Sequence, residues 1–157
     1  MNISENSRVW IYQSDRPFTT EEEQAITQIL QDFTKEWQAH GHALAALAEI
    51  FHQQFIVISV DEQIAGATGC SIDKSVHLMK TIETKFNINL FDRFRMAYKS
   101  GDDIINCSRE EFEDRIKNGL INGQTLVFNN LISLRKELET SWNIPLAESW
   151  HAKVFSI

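Results

Sequence analysis

Apolar positions along the chain recur with two periods, and each change of period marks an element. Arg8-Val9-Trp10-Ile11-Tyr12 is dense in β-branched and aromatic residues and predicts a first strand. Asp15-Arg16-Pro17-Phe18 turns the chain. Thr19 or Thr20 then caps a helix, with Glu22 and Glu23 each three residues on, the spacing of a capping box. Ile26, Ile29, Leu30, Phe33 and Trp37 follow at helical spacing, and Gly41 is the expected stop. Residues 43–52 fit a helix through Leu44, Leu47, Ala48 and Phe51, or a strand turning at Gln53-Gln54. Phe55-Ile56-Val57-Ile58-Ser59-Val60 is a continuous β-branched run, so it reads as a strand buried on both faces. A buried strand needs neighbours, which favours a strand over 43–52 and a short third strand near Ile64–Thr68.

From Ser71 the period turns helical through Ile72, Val76, Met79, Ile82 and Phe86, ending near Asn87. Residues 92–99 alternate: Phe94, Met96 and Tyr98 point one way, Arg93, Arg95 and Lys99 the other. That predicts a half-buried strand with a basic outer face, returning after Gly101-Asp102-Asp103 through Ile104-Ile105. Ser108 caps a helix carrying Phe112, Ile116 and Leu120. Asn122-Gly123 is a turn, Thr125–Phe128 a strand, and Leu131–Trp142 a last helix capped by Asn129-Asn130. Because strands cluster ahead of the second helix, the pattern predicts an α+β fold, not a doubly wound sheet. The expectation is a single domain over 1–157, with one mixed or mostly antiparallel sheet flanked by about four helices.

Composition narrows the class. At 157 residues, 43% hydrophobic and 24% charged, the chain can build a core without staples and reads as an ordinary globule. No apolar run approaches the roughly 20 residues of a membrane span, and MNISENSRVW lacks the basic and apolar regions of a signal peptide. No membrane partner is expected. Cys70 and Cys107 are too few for a disulfide framework, so they are expected as reduced thiols in the cytoplasm. The net charge of −7 sits in residues 1–65, which hold ten acids against three bases, while the remainder is balanced. That field argues against nucleic acid as a partner.

Several chemistries are absent from the pattern. No phosphate-binding G-x-x-x-x-G-K-[ST] occurs, and Gly66-Ala67-Thr68-Gly69 lacks the spacing of a dinucleotide fingerprint. No C-x-x-C, H-E-x-x-H or G-x-S-x-G appears, and no cofactor or metal is expected. His40-x-His42 is the nearest approach to a ligand pair and reads as well as a polar helix end.

Three constellations remain. In GATGCSIDKS, residues 66–75, a glycine turn opens a helix with Ser71 as expected N-cap and Asp73 in the first turn. Cys70 at such a helix start is the candidate nucleophilic or redox thiol, with His77 or His151 as base, and Gly69 and Ser71 beside it could cradle an anion. The structural alternative is a turn with a small buried cysteine. Arg93, Arg95 and Lys99 could bind phosphates, or pair with acids such as Asp102 and Asp103. Trp150 and His151, each with an apolar body and a polar tip, could line a pocket or anchor the chain end.

The segments VWIYQSDRPFT, SVDE, GCSIDKSV, LFDR, TLVFNN and ESWH together resemble an uncharacterised bacterial family of about this length, and the likeness spans nearly the whole chain. The resemblance implies a cytoplasmic bacterial protein with its GCSID motif on residues 69–73. Some members carry an "ABC transporter ATPase" label, whose phosphate loop this sequence lacks. The leading expectation is a non-enzymatic module that binds a small ligand or a protein, with a homo-oligomer as a further form. The alternatives are a thiol enzyme or redox protein on Cys70, and a phosphate-ligand or nucleic-acid binder on Arg93, Arg95 and Lys99.

Overall fold

Strand β5, Phe55–Val60, organises the first sheet of the computed structural model, which describes residues 3–39 and 41–157. All six of its residues are buried. It lies between β1 (Arg8–Gln13) and β4 (Ala46–Phe51), both antiparallel to it, in the order β1-β5-β4. Register sets the faces: Trp10 opposes Ile58 and Tyr12 opposes Ile56, so these turn to one side together with Ala46 and Ala48. Two helices cover that side, α1 (Thr20–Glu36) through Ile26 and Leu30, and α2 (Gly69–Phe86) through Met79 and Ile82. Each such side chain removed from water contributes about 1.5–3 kcal/mol. Over the opposite face lies Arg135, whose guanidinium donates to both oxygens of Glu49 at 3.1 and 3.3 Å and to Ser59 Oγ at 2.9 Å. Its segment, Ser133–Lys136, pairs with the β1 edge through Val9 N to Ser133 O and Arg135 N to Ser7 O.

Local chemistry fixes the helix ends. Thr19 and Glu22 form the predicted capping box on α1. Glu22 also takes both guanidinium nitrogens of Arg16, at 2.7 and 2.8 Å, and Arg16 donates to Phe86 O at the end of α2. Asn87, left-handed at φ 54°, closes α2. A two-stranded hairpin, β2 (Gln38–Ala39) with β3 (His42–Ala43), follows α1.

A second antiparallel sheet is built from β6 (Met96–Ser100), β7 (Asp103–Cys107), β8 (Leu126–Phe128) and β9 (Asn143–Pro145), in the order β7-β6-β8-β9. Its core holds Met96, Tyr98, Cys107, Phe112, Ile121, Val127 and Leu146. Phe112 comes from α3 (Arg109–Lys117), whose N-cap is Ser108 as the sequence predicts, with Glu111 completing a capping box. Short helices α4 (Glu137–Thr140) and α5 (His151–Val154), with a 3-10 turn at Leu146–Glu148, complete the chain.

The fold is α+β with every strand pairing antiparallel among the described residues. The strands divide among three small sheets, where the pattern suggested one. Chain contacts gather in two compact units: Met1–Phe91 with Ser133–Lys136, and Asp92–Ile132 with Glu137–Ile157.

Several local expectations are corrected. The strand favoured over 43–52 forms as β4 with the end of β3, but no third strand forms at 64–68, where Ile64 is exposed in a turn. Gly41, at φ 77°, makes the β2–β3 turn, because α1 already ends at Glu36. Residues 92–95 are not strand: Asp92 Oδ1 takes Phe94 N–H and Asp92 O takes Arg95 N–H, a turn that strand pairing cannot match. Leu120 lies beyond α3 and is exposed. Leu131–Trp142 is not one helix, because residues 133–136 are drawn into pairing beside β1 and only Glu137–Thr140 is helical. Asn129 instead accepts Leu131 N–H, and Asn130 accepts Trp142 Nε1–H at 2.9 Å.

Candidate functional site

Helix α2 begins three residues earlier than Ser71 suggests. Thr68 is its N-cap, accepting Ser71 N–H on Oγ1 at 3.2 Å, while Ser71 Oγ takes Thr68 N–H at 2.8 Å. Ser71 is therefore buried and committed to the cap. Its carbonyl also receives Trp37 Nε1–H at 2.9 Å, which ties the end of α1 to the start of α2. Neither Gly66 nor Gly69 has a positive φ, so the turn does not need glycine for backbone reasons. Asp73 falls outside the first turn, which holds no acid.

With the helix start fixed, the exposed face of α2 can be read. Cys70 is exposed. Asp73 and Lys74 lie one turn on, His77 two and Thr81 three, at spacings that share a face. Asp73, Lys74, His77 and Thr81 border an open groove of about 580 Å³ whose remaining walls are Leu78 and Phe33 of α1. Phe33 and Leu78 are half-buried edges of the α1–α2 core, and Phe33 is braced by Trp37 at 5.0 Å between ring centroids. The groove thus has an apolar floor, one acid, one base and one imidazole. Cys70 and His77 sit on one rigid helix with about 10 Å of rise between them, too far for direct proton transfer.

The other predicted site residues belong to the second unit. Arg93 is exposed in the turn, Arg95 Nε donates to Asn106 Oδ1 at 2.5 Å, and only Lys99 stands on β6. The basic strand face is therefore not formed. His151 is buried with Nδ1 paired to Ser149 Oγ at 2.7 Å, and burial draws its imidazole down to about 4. Trp150 stacks on it at 3.8 Å. Both pack against the core of that unit and do not meet Cys70 within one unit. Cys107 is buried, and burial raises its thiol.

His40 lies outside the described residues. Among the described residues no group of three or more His, Cys, Asp or Glu side chains could hold a metal ion. Sequence reasoning missed Phe33 and Leu78 as groove residues. Phe33 fell on a core stripe, and Leu78 lay off the main stripe of its helix; the one available signal was an apolar residue beside the polar face of 73, 74, 77 and 81. Comparison with protein-family models, curated proteins and solved structures found no match.

Proposed function

We propose that this chain is a non-enzymatic binding module. Its groove between α1 and α2 receives the apolar body of a small ligand, and Lys74 and His77 meet the ligand's polar end. The groove itself carries the reading. At about 580 Å³ it falls within the range of about 300–1,000 Å³ typical of ligand sites, and it combines an apolar floor with a few polar groups. The distance from Cys70 to His77 weighs against a thiol enzyme, and the turn at Arg93 weighs against a phosphate-binding strand face. Two unbridged cysteines, and the absence of any described helix long and apolar enough to cross a membrane, agree with placing the module in the cytoplasm.

The test uses 8-anilinonaphthalene-1-sulfonate, an aromatic probe with one anionic group. Saturable fluorescence enhancement is expected, weakened about 10-fold by Leu78→Asp, which puts a charge on the groove floor. Equal affinity in the variant and the original chain would refute the assignment.

A further inference from the structure

Residues 149–157 are attached to the second unit differently from their neighbours. Their backbone hydrogen bonds stay local: Ser149 N to Leu146 O, Ala152 N to Ser149 O, Phe155 N to His151 O and Ile157 N to Ala152 O. The last backbone ties into the rest of the unit come earlier, from Leu146 N to Thr125 O and from Ala147 N to Gly123 O. Among the described residues, side chains alone hold the segment from Ser149 onward.

At the centre of that attachment is His151. Its ring lies 3.8 Å from Trp150, 5.8 Å from Phe112 and 6.5 Å from Phe155, centroid to centroid. Its one hydrogen bond among the described residues goes to Ser149 Oγ. Trp150 Nε1 is buried beside it without a partner among the described residues, an unmet donor that water would satisfy on opening.

We propose that Ser149–Ile157 is an acid-released latch, held closed by neutral His151 and freed as a unit when the imidazole takes up a proton. A protonated ring donates from both nitrogens. Ser149 Oγ can serve one, and no acceptor among the described residues serves the other. The packed elements offer no compensating charge. From α3, Arg109 lies over the Phe155 ring, Arg115 lies over the Tyr98 ring and pairs with Glu111, and Glu113 and Lys117 border the hollow beside Phe155. From β6 and β7 come Tyr98, edge-on to Phe112, and the buried Cys107. On the segment and the preceding turn, Lys153 and Glu148 are exposed. None of these bonds to the imidazole. Release would uncover Phe112 and its neighbours in the core.

The sign follows from linkage. The imidazole binds protons near 6.5 when free and near 4 when held, so the latch is fully closed above about 6.5 and loosens as pH falls toward 4. At pH 5 the loosening is roughly 30-fold.

Hydrogen exchange read by mass spectrometry, corrected for the intrinsic pH dependence, tests this in the full chain. Protection of 149–157 should fall roughly 20-fold between pH 7 and pH 5, while β6 keeps its protection. In His151→Gln the pH dependence of the segment should flatten, and His151→Phe provides a second non-titrating variant if the first folds poorly. Protection that is constant over this range would overturn the proposal. So would protection lost in step with β6, or an unchanged pH profile in the variants.

Discussion

A single carboxylate, Glu22, joins two helix ends. It completes the cap of α1 and holds Arg16, which in turn reaches the last turn of α2. The Arg16 guanidinium, followed by the Thr19 backbone N–H, draws the Glu22 carboxyl down to about 2. Its stabilisation is present above the ordinary carboxylate range near 4.5 and is lost as pH falls from there toward 2. Glu22→Gln is expected to cost about 1 kcal/mol at pH 7 and markedly less at pH 3, because the pair is partly exposed. Urea unfolding at the two pH values reads this, and an equal loss at both would refute it. The two thiols differ as plainly. A disulfide reagent such as dithiodipyridine should modify Cys70 at once and Cys107 only with unfolding, since one is exposed and the other buried. Cys70→Ser should remove the fast phase; two fast thiols in the native chain would contradict the structure.

At the scale of elements, the start of α2 positions the groove face, and Thr68 sets that start. Thr68→Ala should destabilise by about 1 kcal/mol in thermal or urea unfolding, whereas Ser71→Thr keeps a hydroxyl at the third position and should cost less. Identical losses would point to packing instead of capping. What was legible in the sequence was local. The caps at Thr19 and Ser108 carry the glutamate three residues on, and β5 announces itself by six consecutive residues fit for burial. The start of α2 was misread because its box ends in serine, a weaker signal than glutamate. Tertiary pairing hid other features. Residues 131–136 keep a helical apolar spacing, yet their backbone is claimed by the β1 edge, a partner about 125 residues away in sequence. The groove was invisible for the same reason, because Phe33 and Leu78 come from different helices.

Across the whole molecule, the lopsided charge of the sequence does not survive folding. The first unit holds 12 acids and 8 bases and the second 10 and 7, because Arg135 and Lys136 return to the first. That return makes Arg135 a structural residue of the first unit. Arg135→Met should cost about 1–3 kcal/mol, since it leaves Glu49 and the buried Ser59 Oγ without their donor. A neutral substitution would show that water replaces the guanidinium. The groove proposed to bind lies wholly in this first unit, so its occupancy can be read residue by residue. The most direct measurement is an amide NMR titration with 8-anilinonaphthalene-1-sulfonate. Saturable shifts confined to Phe33, Lys74, His77, Leu78, Thr81 and their immediate neighbours are the predicted result. Shifts that fail to saturate, or that gather elsewhere in the chain, would contradict the assignment of this groove as the binding site.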